Sequence, residues 1–339
     1  MFDLRDLTVP IIGAPMAGGP GTPALAAAVS NSGGLGFLAA GYLTAQRFSD
    51  DIAATRLLTS GPIGVNLFVP QPSAATSSSL DEYRDRLMPL AQRFGVDLGL
   101  PGFDDDRFDQ KLDVVVSTAP ELASFTFGCP SADVLERLRN AGVASAVTVT
   151  SRTEADVAVA AGADVLVVQG PDAGGHRGTF SPTRRPDGTP LDELFTEIAK
   201  GGETPIVAAG GLSDASAVQN VLTLGAVAAQ VGTALLLCDE AGTKLVHRAA
   251  LTDDQFTETV VTRAFSGRYA RGLANEFTRQ FDAVAPFGYP DVNQLTGPLR
   301  AAAVAAGDPQ NTNLWAGTQW RNSVGGPAGD IVAMLAAAQ

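Results

Sequence analysis

Cysteine, histidine and positive charge are all scarce in this chain of 339 residues. The two cysteines, Cys129 and Cys238, lie far apart in the sequence, which excludes a disulfide framework and is typical of a reduced, intracellular protein. We expect both to be buried. Lysine and arginine number 23 against 36 aspartates and glutamates, giving a net charge of −13. Because nucleic-acid phosphates and anionic membranes both attract a basic face, we expect neither as a partner.

Long apolar runs are missing as well. The most apolar run, residues 226–238, is too short to span a bilayer and contains Gln230 and Gly232. Residues 1–7 mix acidic, basic and apolar side chains, which does not match the apolar segment of a signal peptide. We therefore expect a cytoplasmic protein, monomer or homodimer, whose partners are small molecules. No metal site is predicted.

What the chain does contain is a repeated unit of apolar strand, polar or glycine-rich loop, helix and short Ala-Gly or Gly-Ala turn. Eight strands are predicted, at residues 9–14, 35–40, 63–69, 124–128, 144–150, 165–169, 205–209 and 227–232. Apolar strands that alternate with helices predict a parallel sheet with right-handed crossovers. Eight units favour an α/β fold closed into a (β/α)8 TIM barrel, with a flavodoxin-like doubly wound sheet as the alternative.

The barrel is predicted to occupy residues 1–250, with a loop and helix insertion near residues 70–120 that forms a lid. Residues 251–339 are predicted to be a C-terminal helical extension that packs on the barrel and contributes to the site. Residues 34–39 match a dinucleotide-binding fingerprint by letter. That fingerprint follows a strand and opens a helix, whereas here a predicted helix comes first, so we do not predict a Rossmann domain.

A functional site is predicted where the strand at 165–169 ends. The next ten residues contain four glycines and His176, one of only two histidines in the chain. Glycines allow backbone N–H groups to approach a flat or anionic cofactor closely. The alternative is a mobile turn with a solvated histidine.

Two further glycine loops, Gly210-Gly211-Leu212-Ser213 and Gly232-Thr233, follow the seventh and eighth predicted strands. In a (β/α)8 barrel these loops commonly hold a phosphate, although no lysine lies near them in the sequence. Three amides, Asn66, Gln169 and Gln230, stand at or near strand ends, where they suit the polar rim of an isoalloxazine and its ribityl chain. A single phosphate site indicates FMN rather than NAD.

Several of these stretches together resemble the nitronate monooxygenase family, formerly the 2-nitropropane dioxygenases, and in particular its bacterial class I members. The stretches are Ala14-Pro15-Met16-Ala17-Gly18-Gly19, Gly64-Val65-Asn66, Gln169 with Gly174-Gly175-His176-Arg177-Gly178, Ala208-Ala209-Gly210-Gly211, Gln230-Val231-Gly232-Thr233, residues 262–268, Tyr289-Pro290 and residues 295–300. The resemblance spans nearly the whole chain. Asn293 and Gly297 depart from the tyrosine and basic positions of the Tyr289 motif, which leaves the substrate open.

The resemblance implies an FMN-dependent enzyme that oxidises alkyl nitronates or nitroalkanes, such as propionate 3-nitronate, with O2. It implies His176 as the catalytic and substrate-binding residue, with Tyr289 as a second substrate contact. The cofactor contacts expected are Ala14, Pro15, Met16, Asn66, Gln169, Gly174, Gly175, Gly210, Gly211, Gln230, Val231, Gly232 and Thr233. An NAD(P)H-dependent flavin reductase on the same barrel and a non-catalytic flavin-binding barrel are the alternatives. The second histidine, His247, lies in a predicted helix, and we expect a structural role for it.

Overall fold

The computed structural model describes residues 2–337. Met1, the first residue of the predicted barrel segment, and Ala338 and Gln339, the last residues of the predicted C-terminal extension, lie outside the described residues. Its strands are β1 Ile11–Gly13, β2 Gly36–Ala39, β3 Ile63–Phe68, β4 Leu122–Thr126, β5 Ala144–Val149, β6 Val165–Gln169, β7 Gly175–His176, β8 Ile206–Ala209, β9 Ala228–Val231, β10 Thr259–Thr262 and β11 Ala270–Leu273. Its α-helices are α1 Pro23–Asn31, α2 Ala45–Leu58, α3 Ser77–Phe94, α4 Phe108–Thr118, α5 Ala132–Asn140, α6 Arg152–Ala161, α7 Leu191–Ala199, α8 Ala215–Thr223, α9 Leu245–Thr252, α10 Glu276–Phe281, α11 Asp291–Ala305 and α12 Ala328–Ala336.

Eight of the strands form one parallel sheet in the order β1-β9-β8-β6-β5-β4-β3-β2. The two ends of this order meet at a parallel bridge between Ile12 and Leu35. Leu35 N–H donates to the Ile11 carbonyl and Gly13 N–H donates to the Leu35 carbonyl, each at 3.0 Å. The predicted (β/α)8 TIM barrel is therefore confirmed, and the flavodoxin-like alternative is wrong.

The barrel strands are buried on both faces, which explains why they are continuous apolar runs in the sequence. In β6, Val165 and Val167 pack into the cluster inside the barrel. Leu166 and Val168 pack into the larger cluster between the sheet and the helices. Alternate residues of each strand therefore contribute to two different cores. Burial of one such side chain stabilises the fold by about 1.5–3 kcal/mol.

Several helices begin at a short polar side chain that accepts a hydrogen bond from the first turn. Thr22, Thr44, Ser131, Ser151 and Asp214 cap α1, α2, α5, α6 and α8 in this way, each worth about 1 kcal/mol.

Residues 151–154, Ser-Arg-Thr-Glu, have the spacing of a capping box, but only half of the motif forms. Ser151 accepts from Glu154 N–H, but the buried Glu154 carboxylate accepts from Thr150 and from Phe180 N–H. Glu154 thus ties α6 to the loop that follows β7.

The predicted insertion and the C-terminal segment share a hydrophobic core. Tyr83 and Leu87 of α3 pack with Phe277 and Leu295, and the Tyr83 hydroxyl donates to the Ala264 carbonyl at 2.6 Å. Any lid movement of α3 would have to disrupt this core. The segment after residue 250 contains β10 and β11 in addition to helices, and β11 pairs with β7 to form a three-stranded antiparallel sheet.

The end of the predicted insertion near residues 70–120 is in fact a helix of the barrel. Residues 108–118 form α4, which packs against α2 and β3, yet three consecutive valines in it look strand-like in the sequence. Strand β4 accordingly begins at Leu122, two residues before its predicted start.

Both cysteines are free thiols; Cys238 is buried as expected, whereas Cys129 is only half-buried, and desolvation raises the pKa of each to about 11. Within residues 2–337, every helix is too short or too polar to cross a membrane.

Candidate active site

A cavity of about 620 Å³ opens at the carboxyl ends of the barrel strands. Strand β3 and the loops after β1, β2, β4, β6, β8 and β9 line it on the barrel side, and α9, α11 and residues 312–319 line the rest. The lining contains Lys244 and Arg300 but neither aspartate nor glutamate. In a chain with a net charge of −13, a lining without carboxylates favours an anionic ligand.

The structure brings the predicted site residues together at this cavity, with one exception. His176 lies in the lining with Ala14, Pro15, Met16, Asn66, Gln169, Gly174, Gly175, Gly210, Gly211, Gln230, Val231, Gly232 and Thr233. Tyr289 is outside the lining, but its ring packs 5.9 Å from the His176 ring. Its hydroxyl donates to the hydroxyl of Tyr42, which does line the cavity, at 3.4 Å.

Five backbone N–H groups at the ends of β8 and β9 donate to no other atom in the described part of the chain. They belong to Gly211, Leu212, Ser213, Gly232 and Thr233, all in the cavity lining. Gly211 has a φ of +77°, a conformation that side-chain-bearing residues rarely adopt. Unpaired amides that converge from neighbouring strand ends form an anion-binding cradle.

The three amide side chains are used unequally. Asn66 Nδ2 donates to Ser124 and Thr126, so that its carbonyl oxygen remains for a ligand. Gln169 donates from Nε2 to the His176 carbonyl at 3.0 Å and accepts from Gly178 N–H at 2.8 Å. Gln169 therefore shapes the histidine loop, a role the sequence did not indicate. In the described chain the Gln230 side chain has no hydrogen-bond partner and remains available.

His176 is held by Ser266, which lies 90 residues away in the sequence. The distance from His176 Nε2 to Ser266 Oγ is 2.8 Å, and the Ser266 hydroxyl donates to the Arg268 carbonyl at 3.2 Å. Because a serine hydroxyl carries one hydrogen and the Arg268 carbonyl can only accept, we infer the tautomer in which Nε2 carries the proton and donates to Ser266. Within residues 2–337, Nδ1 has no hydrogen-bond partner, and it is not among the unpartnered atoms that are fully buried, so we infer that its lone pair faces the cavity.

The imidazole is uncharged. Its enclosure among Phe127, Trp315 and Tyr289, together with the nearby charges of Arg268 and Arg300, lowers the pKa of His176 to about 3. Burial raises the pKa of Tyr289 well above its usual value and also raises that of Tyr42. At neutral pH this part of the site thus presents the neutral His176 and two neutral phenols.

Arg300 supplies positive charge and makes no ion pair within residues 2–337. Its guanidinium donates to Asn293 at 2.8 Å, Asn313 at 3.0 Å and Thr296 at 3.0 Å, and all of these acceptors are neutral. Asn293 and Gly297, which depart from the family motif, line the cavity on the same face of α11. An anion in this part of the cavity would compensate the charge of Arg300.

Sequence reasoning missed Ser266, Arg300, Trp315 and Lys244, and it assigned only a structural role to His247, which lines the cavity with an unpartnered Nε2. Ser266 and Arg300 do fall within stretches that resemble the family. That resemblance was the one signal available for them.

The fold and the site together define an α/β barrel with a cavity at the carboxyl ends of its strands, lined by Arg300, Lys244 and a neutral His176. The sequence profile of the nitronate monooxygenase family matches residues 3–338, and the chain belongs to this family of oxidoreductases. This confirms the resemblance noted from the sequence.

Individual proteins that are similar to this chain support the same family assignment. The chain is 37% identical over 340 residues to a probable nitronate monooxygenase of Staphylococcus aureus strain MSSA476, covering 99% of this chain and 95% of that protein. It is similar to the solved structure of nitroalkane oxidase from Streptomyces ansochromogenes, with a TM-score of 0.95 and 45% identity over 98% of this chain and 96% of that one. FabK from Thermotoga maritima shares the fold, with a TM-score of 0.76 and 23% identity over 98% and 93% of the two chains.

Proposed function

We propose that this protein uses FMN to oxidise alkyl nitronates, or nitroalkanes that it first deprotonates, with O2, releasing a carbonyl compound and a nitrogen oxide. Propionate 3-nitronate is the representative substrate. The observation that carries the proposal is the His176 Nδ1 lone pair, which faces a cavity lined by Arg300 and Lys244 and by no carboxylate. Family membership supports the reaction class.

The cradle at the ends of β8 and β9 fits one phosphate group. Its five free N–H groups match the acceptor oxygens of a phosphate, and the neighbouring small residues Ala14 and Gly174 leave room for a flat ring. A Cβ on Gly174 would lie 2.5 Å from the backbone of Ala316 and Gly317, so a larger residue there would displace the wall. When bound, FMN supplies the redox chemistry and the reaction with O2.

The protein residues supply proton transfer and charge stabilisation. A nitronate is already deprotonated, so His176 would act as a base only on a neutral nitroalkane, whose carbon-bound proton the unprotonated Nδ1 would accept. Arg300 and Arg268, whose charges reach His176, then stabilise the anion that forms. Ser266 fixes the orientation of the ring, because its hydroxyl accepts the Nε2 proton.

The alternative, an NAD(P)H-dependent flavin reductase, gains nothing from the likeness to FabK, because that likeness shows the fold alone. The test of the proposal has two parts. The purified protein should be yellow and release FMN, not FAD, on heating, and it should consume O2 when propionate 3-nitronate is added. A colourless protein that cannot be reconstituted with FMN would refute the proposal.

A further inference from the structure

A second cavity, of about 310 Å³, lies outside the candidate active site and shares no lining residue with it. Its walls come from the loop after β7, from strands β10 and β11, and from the turn between those strands. Four arginines line it: Arg177, Arg185, Arg263 and Arg271.

The positive charge of the four arginines in this second cavity is only partly balanced by carboxylates. Within residues 2–337, none of the four guanidinium groups lies within ion-pair distance of a carboxylate. The lining has two carboxylates. Asp282 is engaged by the Thr262 hydroxyl and Arg263 N–H at 2.8 and 2.7 Å. Asp187 is exposed and accepts from Thr189 N–H at 3.1 Å.

Two of the guanidinium groups are held in place by neutral contacts. Arg271 donates from Nε to the Pro171 carbonyl and from Nη1 to the Thr259 hydroxyl, both at 3.1 Å. Arg263 lies 4.2 Å from the centre of the Phe287 ring and donates to the Asp282 carbonyl. Because a guanidinium carries five N–H groups, both keep unused donors in a fixed orientation. Burial lowers the pKa of Arg271, and the nearby charge of Asp172 opposes that shift.

We propose that this second cavity binds a small ligand through a phosphate group. Planar guanidinium groups pair with phosphate oxygens two at a time, so several arginines with spare donors around one small cavity select a phosphate over a single-point anion such as chloride. Arg185 completes the site. It is exposed and makes no hydrogen bond or ion pair in the described chain, so its donors are free to close over a ligand.

The experiment is isothermal titration calorimetry of the purified protein loaded with FMN, with inorganic phosphate, pyrophosphate and AMP as probes and adenosine as the uncharged control. The test variant is Arg185→Met, and the matched control is Arg184→Met. Arg184 is the neighbouring exposed arginine of the same loop, and it does not line the second cavity. Neither variant removes a contact that the fold uses, and the readout does not depend on turnover.

We expect at least one phosphate probe to bind with a Kd of about 1 mM or tighter. Arg185→Met should weaken that binding by about tenfold or more, and Arg184→Met by less than about twofold, since loss of a charge-assisted contact acts only at the site. Binding of AMP without binding of inorganic phosphate would identify a phosphate ester as the ligand class, and binding of both would identify phosphate itself. Absence of binding, equal effects of the two variants, or no effect of Arg185→Met would overturn the proposal.

Discussion

Ser266→Ala is expected to lower the activity that depends on His176 and to leave the FMN content unchanged. The serine hydroxyl lies 2.8 Å from His176 Nε2 and is almost fully buried. Its removal leaves the Nε2 proton without an acceptor, which costs about 1–3 kcal/mol for a buried donor. The imidazole can avoid that cost by rotating or by moving its proton to Nδ1. Either change removes the lone pair from the cavity.

The expected result is a fall in kcat of about 10–100-fold, which corresponds to about 1.4–2.8 kcal/mol in the activation free energy. KM and FMN content should change little, because Ser266 does not line the cavity. Ser266→Thr keeps the hydroxyl and should recover most of the activity. A general loss of packing would instead lower FMN content or affect both variants equally.

The tautomer itself can be observed, because the chain has only two histidines. In ¹⁵N-histidine NMR spectra of the wild type, His176 should be neutral with the proton on Nε2, and it should not titrate near its ordinary pKa, because its pKa is lowered to about 3. Ser266→Ala should show a mixture of tautomers or the Nδ1-protonated form. A wild-type His176 that is protonated on Nδ1, or that titrates near its ordinary pKa, would refute the reasoning.

Three further predictions follow from the same contacts. His176→Asn should lower kcat on a neutral nitroalkane by about 10²–10⁴-fold with FMN content unchanged; retention of activity within about threefold would mean that His176 is only a loop residue. Gly211→Asp should abolish FMN binding, because a carboxylate would enter the phosphate cradle next to Asp172, whereas Gly142→Asp should retain it. Gly142 has a φ of +78° against +77° for Gly211 and open space around its Cβ position, so equal loss in both variants would indicate backbone strain instead. Burial lowers the pKa of His247 to about 4, so between its ordinary pKa and that value the unfolded chain binds the extra proton and stability falls as the pH falls. From about pH 7 to about pH 5 this costs about 2 kcal/mol, and urea unfolding at both pH values should show His247→Asn losing correspondingly less stability than the wild type; an equal loss would contradict the buried, neutral state of His247.

The barrel, and the part of the cavity formed by the strand ends, could be predicted from the sequence because the residues that form them are close together in the chain. Strands buried on both faces are apolar runs, and the glycines that end β6, β8 and β9 follow those runs directly. A barrel fold then places these strand ends at one rim, so that Asn66, Gly211 and Gln230 meet without any knowledge of tertiary contacts.

The part of the cavity around His176, with Ser266 and Arg300, could not be predicted in the same way. Ser266 reaches His176 across 90 residues, and Arg300 enters the cavity because α11 packs on α3, which itself belongs to the predicted insertion. Contacts of this kind leave no periodic pattern in one sequence. For Gln169 the position was predicted but the role was not. Its amide lies at a strand end as expected, yet it forms hydrogen bonds within the loop that carries His176.

The central claim is that the substrate, not a nicotinamide, supplies the electrons to the flavin. The direct measurement is anaerobic mixing of the FMN-loaded protein with propionate 3-nitronate and, separately, with NADH or NADPH, while flavin absorbance is recorded. The account predicts that the nitronate bleaches the flavin rapidly and that the nicotinamides do so slowly or not at all. Rapid bleaching by NADH or NADPH, with no response to the nitronate, would contradict the account and indicate a flavin reductase.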